Sequence, residues 1–218
     1  MSDRFAAIEA RIAAACARAH RPRESVRLVA VSKLQPAAAI REAWALGQRD
    51  FGENYAQELR DKAAELAPLE GIRWHAIGAL QPKNAKYVAK AAAYFHALDR
   101  LDTAAELSKR RTGEPLQCLL ELNLAGEGSK SGVPSTEAPK LAGALRDLPN
   151  LKLVGLTAMP PPSEDPEASR PHFARLRGLA ASLGVHELSM GSTQDFEVAI
   201  EEGATLVRVG TALFGART

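Results

Sequence analysis

The sequence predicts an α/β protein, a single (β/α)8 barrel with one extra helix at its N-terminus. Three observations predict it. Strand-like apolar runs alternate with segments of helical periodicity along the chain. Eight such runs are present, and no linker or change of composition divides the 218 residues. Alternating strands and helices build parallel sheets, and eight parallel strands close into a barrel. The length is near the lower limit for that fold, which leaves one domain, 1–218. A doubly wound open sheet is the alternative.

The elements follow in order. Phe5, Ile8, Ile12, Ala15 and Cys16 have helical spacing, so a helix leads the chain. Asp3, Arg4, Glu9 and Arg11 interrupt any signal-peptide apolar core there. The first strand is 26–32, and Pro36 is expected in the first turn of the next helix, whose face carries Ile40, Ala43, Trp44 and Gly47. A strand at 49–54 precedes a helix with Tyr55, Leu59, Ala63 and Leu66 on one face. Strands at 72–78, 94–99 and 116–123 are followed by helices at 81–92, 100–111 and 135–147. The remaining strands, 151–159, 186–191 and 205–210, enclose helices at 167–183 and 194–202, with a proline-rich joint at 159–166.

Composition narrows the function. A net charge of +2 without a long basic block argues against nucleic acid. No stretch approaches the ~18 apolar residues of a membrane span. Cys16 and Cys118 make no disulfide framework, so a reducing, cytoplasmic setting is expected. Nothing signals oligomerisation, and a monomer is expected. His20, His75, His96, His172 and His186 show no ligand spacing, so no metal site is expected, and His75 reads as a structural core histidine.

Barrel sites form at the C-terminal strand ends. Those ends carry Lys33, Asn54, Gly78, Asp99, Asn123, Thr157, Ser189-Met190-Gly191-Ser192-Thr193, Arg208 and Gly210-Thr211. Two of these loops suit a phosphate: Gly191-Ser192-Thr193 before a helix and Gly210-Thr211 after the last strand, where glycine admits close approach and hydroxyls donate. Ser192 with Asp195 also reads as an ordinary helix cap. Lys33 at the mouth would be desolvated, and a neutral amine attacks an aldehyde to form a Schiff base. A lysine aldimine plus a phosphate grip points to pyridoxal 5'-phosphate; a solvent-facing Lys33 is the plainer alternative. The run Gly126–Ser131 resembles a phosphate loop but has Ser129 where glycine should precede Lys130. Lys130 is a candidate second amine.

The stretches AVSK (30–33), FGENYAQE (51–58), WHAIGALQ (74–81), Lys130-Ser131-Gly132, LSMG (188–191) with Asp195, and VRVGTALFGAR (207–217) resemble the YggS/PROSC family of pyridoxal-phosphate homeostasis proteins. The resemblance implies the barrel of the alanine racemase N-terminal domain, the type III fold of pyridoxal-phosphate proteins. It implies Lys33 as the aldimine residue and Asn54 near the cofactor ring. It places Thr193, Gly210 and Thr211 in the phosphate-binding loops, Met190, Gly191 and Ser192 among the cofactor-binding residues, and Arg208 at the pyridine nitrogen. A guanidinium there disfavours ring protonation and weakens the ring as an electron sink. The chain departs from the family pattern at Lys83-Asn84, where the two residue types are exchanged, at Ala76, where an aromatic is common, and at Ser192, where methionine is usual. The implied function is to hold the cofactor and pass it to apo-enzymes, with no catalytic residue. A racemase is the alternative, but its second base comes from an additional domain, for which this chain is too short, and Tyr55, Tyr87 and Tyr94 have no evident claim to that role.

Overall fold

A computed structural model describes residues 1–124 and 131–215. Gly126–Lys130 and Arg217 lie outside the described residues, and with them the phosphate-loop resemblance and the second-amine reading of Lys130. The strands are β1 (Arg27–Val31), β2 (Asp50–Glu53), β3 (Arg73–Ala76), β4 (Tyr94–Leu98), β5 (Leu116–Asn123), β6 (Leu151–Ala158), β7 (Glu187–Ser189) and β8 (Leu206–Val209). Each pairs in parallel with its chain neighbours, and β8 pairs with β1 to close the barrel. The predicted barrel is therefore the observed one.

Helices alternate with the strands: α1 (Ser2–Arg18), α2 (Ala37–Ala45), α3 (Ala56–Glu65), α4 (Ala85–Ala91), α5 (Leu101–Arg110), α6 (Ala138–Arg146), α7 (Arg170–Leu183) and α8 (Phe196–Glu201). The front helix α1 takes the eighth place in the helical ring. It packs on α8, pairs Arg11 with Glu197 at 3.1 Å, and brings its amino terminus 3.4 Å from Glu42 on α2. Its buried face is the predicted one: Phe5, Ile8, Ile12, Ala15 and Cys16.

Three local details differ from expectation. Pro36 caps α2 from outside, in extended backbone at ψ 155°, because the turn after β1 occupies the preceding residues. The seventh strand ends at Ser189, since Gly191 turns the chain at φ +89°. A last short helix, α9 (Thr211–Phe214), and a two-residue strand, Val133–Pro134, paired with the end of β5, were not predicted; both are too short to show periodicity.

The core has two parts. The larger lies between strands and helices. Inside the barrel Val29, Tyr94, Leu119 and Leu206 form a small apolar layer, and most of the remaining interior is polar. Cys16 and Cys118 are free and buried, and burial pushes the Cys118 thiol up to about 12.

Gly155 on β6 lies against Glu187 of β7, where an added Cβ would run into the Glu187 carbonyl. Gly155→Ala should therefore lower stability by about 2 kcal/mol or more and the melting temperature by roughly 4–8 °C. Thermal unfolding checks this.

Candidate functional site

Strand periodicity sends alternate residues into the barrel. The inward residues nearest the C-terminal ends surround a cavity of 240 Å³ at the mouth. Lys33 and Gln35 line it after β1, and Asn54 lines it after β2. Ser192 and Thr193 face it from the loop before α8, and Gly210 and Thr211 from the turn into α9. Arg208 supplies a guanidinium from β8. Seven predicted positions thus converge on one space. Gly191 lines an adjoining cavity of 170 Å³ together with Ser192 and Arg208. Met190 is not brought to the mouth: it is fully buried in the core, because the turn at Gly191 directs it outward. Val31, Ile77, Met159 and Gly215 complete the wall.

The loop before α8 is held from behind. Gly191 packs so closely on α8 that a Cβ would come within 2.6 Å of the Ala199 Cβ. The Ser192 N–H and hydroxyl donate to Asp195 Oδ1 at 2.7 and 3.0 Å, and the Ser169 hydroxyl donates to Asp195 Oδ2 at 2.8 Å. The carboxylate is the acceptor that orders the loop; the expected cap by Ser192 is not formed, because α8 begins at Phe196 with Asp195 in the N-cap position and no side-chain capping hydrogen bond. Thr193 and Thr211 line the cavity from opposite loops, residue types that suit a tetrahedral anion.

Arg208 is fixed by hydrogen bonds that continue into the barrel. Its Nη1 lies 2.5 Å from Ser189 Oγ, 2.7 Å from the Ser189 carbonyl and 3.1 Å from Thr157 Oγ1. Ser189 Oγ is 2.8 Å from His96 Nδ1, His96 Nε2 is 2.9 Å from His75 Nδ1, and His75 Nε2 is 2.9 Å from Asp50 Oδ1. Asp50 closes the line by accepting from Arg73 at 2.5 and 2.8 Å. His75 stacks on Tyr94, with ring centroids 4.6 Å apart, and is the structural histidine predicted. The line runs from the first residues of β2 and β3 up to the mouth.

The direction of every hydrogen bond in this line follows from its ends. Ionised Asp50 only accepts and Arg208 only donates. His75 therefore donates from Nε2 and accepts at Nδ1; His96 does the same, and the Ser189 hydroxyl passes its proton toward His96. Burial lowers the pKa of both imidazoles, against the opposing effect of Asp50 on His75; His75 and Arg208 lower His96 further. Burial alone would raise Asp50, but Arg73 and His75 outweigh it and hold the carboxyl well below the usual range. Burial also draws Arg208 below its ordinary value, opposed by Glu121 and Asp195; an arginine still stays charged. Asp50 and His96 were missed as functional residues, and Ser189 was noted at its strand end without a role, since each comes from a different strand and none shares a spacing with Arg208.

Among the described residues no group of three or more His, Cys, Asp or Glu side chains is placed to hold a metal, and no helix is long and apolar enough to cross a membrane.

Comparison with known proteins places this geometry. Residues 4–218 match the family described as alanine racemase, N-terminal domain. The pyridoxal phosphate homeostasis protein of Pseudomonas aeruginosa is 48% identical over 100% of this chain and 96% of its own length. That of Aquifex aeolicus is 40% identical over 99% and 97%. The solved structure of PipY from Synechococcus elongatus with PLP bound superposes with TM-score 0.83 at 36% identity, covering 95% of this chain and all of PipY. Alanine racemase from Corynebacterium glutamicum shares the fold, with TM-score 0.70 at 18% identity, over 96% of this chain and 60% of its own. The chain belongs to the alanine racemase N-terminal-domain family and, within it, to the pyridoxal phosphate homeostasis proteins.

The buried line has a pH signature. Both imidazoles have folded pKa values lowered from their unfolded value, so the unfolded chain binds more protons below about 6.5. Their stabilising contribution is complete above that pH and is lost as pH falls below it. Unfolding free energy should drop on acidification from about pH 6.5, by up to ~2.7 kcal/mol per unit if both rings titrate. Below about pH 4 the depressed Asp50 acts in the same direction. Urea unfolding across this range checks it, and His96→Gln should remove about half of the slope.

Proposed function

We propose that this protein holds pyridoxal 5'-phosphate at the barrel mouth, bonded through its aldehyde carbon to the Lys33 amine, and serves intracellular homeostasis of that cofactor without efficient turnover. One observation carries the reading: Lys33, the two hydroxyl loops and Arg208 all line one cavity. The aldehyde supplies an electrophilic carbon for an amine, and Lys33 supplies that amine. Thr193, Gly210 and Thr211 grip the phosphate by hydroxyl and backbone donors, and Ser192, whose N–H and hydroxyl are taken by Asp195, lines the wall beside it. Asn54 lies at the ring and Arg208 at its nitrogen. The donor set fits: a tetrahedral anion site on one side and an amine on the other, joined by a floor that includes the apolar Val31 and Ile77. That the PipY structure carries PLP and that the relatives are named for its homeostasis supports the assignment.

Holding rather than turnover is supported by the want of a claimant to a second base among the tyrosines and the described cavity residues, and Arg208 adds to it. A permanently charged donor at the ring nitrogen keeps that nitrogen unprotonated, which limits electron withdrawal from bonds at the amine-bearing carbon. The tyrosines support the same reading. Tyr94 lies deep in the barrel, bonded to Arg27 at 2.7 Å, and Tyr87 lies on the outer surface beside Arg60. Tyr55 is on the rim, 54% exposed. Apart from Lys33 and Arg208, the cavity is lined by uncharged residues among those described. We assign the protein to the cytoplasm as one barrel domain and a monomer, releasing the cofactor to apo-enzymes that use it.

Mixing the protein with pyridoxal phosphate, reducing with borohydride and mapping peptides tests the central assignment. The cofactor should be fixed on Lys33, and Lys33→Ala should lose the adduct while retaining the fold. An adduct of unchanged yield in Lys33→Ala places the chemistry on another amine.

A further inference from the structure

The turn that presents Lys33 is held from outside the cavity. The chain leaves β1 and reverses at once: the Gln35 N–H donates to the Ser32 carbonyl at 3.0 Å, with Leu34 at φ +60°. This left-handed conformation is unfavourable for a branched side chain. The Leu34 side chain is 57% exposed, so packing is not what secures it.

Charged hydrogen bonds secure it instead. Glu58 Oε1 accepts the Leu34 N–H at 2.6 Å. Lys62 Nζ donates to the Ser32 carbonyl at 2.7 Å, to Glu58 Oε1 at 2.7 Å and to Glu53 Oε1 at 2.8 Å. The Ser32 hydroxyl donates to Glu53 Oε1 at 2.6 Å. The Ser32 carbonyl and the Leu34 N–H belong to the two peptide groups on either side of Lys33. Each is therefore gripped by a side chain of α3. Glu58 and Lys62 stand one helical turn apart, and Lys62 and Glu53 are 7% and 1% exposed. None of the three lines the cavity.

We propose that Glu58 and Lys62 are positioning residues that clamp both peptide groups flanking Lys33, hold Leu34 in its strained conformation and so aim the Lys33 amine into the mouth. Glu53 anchors the clamp from β2 by neutralising Lys62 and accepting from Ser32. Without Glu58, Leu34 returns toward negative φ, the peptide between Lys33 and Leu34 rotates, and the Lys33 side chain loses its direction. Lys62 then still has Glu53 and the Ser32 carbonyl, so removing Glu58 leaves no buried charge alone. For its chemical consequence the inference rests on Lys33 being the amine that takes the cofactor; for its conformational part it does not.

Two readouts separate these. Amide hydrogen exchange of residues 32–35 is measured without cofactor on the full chain, its Glu58→Ala and Glu58→Gln variants, and Glu58→Asp, whose shorter side chain withdraws the acceptor while keeping the charge. The rate of borohydride fixation of pyridoxal phosphate on Lys33 is measured on the same proteins, across pH. Glu58→Ala and Glu58→Asp should expose the Leu34 amide to exchange and slow fixation about tenfold, the scale of one charge-assisted hydrogen bond. Glu58→Gln, which keeps a carbonyl acceptor, should stay within about twofold of the parent. Equal exchange and equal fixation in parent and folded variants would overturn the clamp, as would slowed fixation with unchanged Leu34 exchange. If Glu58→Ala does not fold, Glu58→Asp decides by the same two measures. A parent that takes no cofactor on Lys33 would defeat the proposed function, and the exchange data would still judge the clamp.

Discussion

An arginine can only donate hydrogen bonds and an ionised carboxylate can only accept them, and the barrel interior is strung between one of each. From Arg208 at the mouth to Asp50 at the other end, Ser189, His96 and His75 have one hydrogen-bonding direction available to them. That constraint fixes two tautomers, one hydroxyl rotor and the orientation of the guanidinium. A buried chain of this kind rigidifies when every member is satisfied and becomes costly when one is removed. The mouth therefore inherits its geometry from residues far below it.

The same strand serves both the line and the lysine. On β2, Asp50 points into the barrel and ends the hydrogen-bonded line, whereas Glu53 points outward to Ser32 and Lys62. The two-residue period of a strand lets four consecutive residues control an arginine on one face and a lysine-bearing turn on the other. Lys33 and Arg208 line the cavity from neighbouring strands, since β1 pairs directly with β8. In the proposed function one would supply a nucleophilic amine and the other a fixed charge beside the ring nitrogen.

Much of this was legible in the sequence because it was written locally. Alternation of strand and helix patterns sufficed for the barrel, and strand-end positions sufficed for Lys33, Asn54, Ser192, Thr193, Arg208, Gly210 and Thr211. What was not legible depended on tertiary direction. Met190 sits one residue before a positive-φ glycine, and only the turn reveals that it faces the core. Asp50, His75, His96 and Ser189 lie on four strands, so the line they form has no spacing in the chain. Glu58 and Lys62 look like a common exposed helix pair until α3 is docked against the turn after β1. Leu34 carries no sign of a left-handed backbone, because glycine or asparagine normally marks such a position.

The proposed function is to hold an aldehyde cofactor without efficient turnover. The most direct measurement is to load the full-length protein with pyridoxal phosphate, add alanine in heavy water and follow the α-hydrogen by NMR. Exchange should be no faster than free pyridoxal phosphate produces at the same concentration. Exchange at an enzyme's turnover rate, on the order of 1–10³ per second, would contradict it.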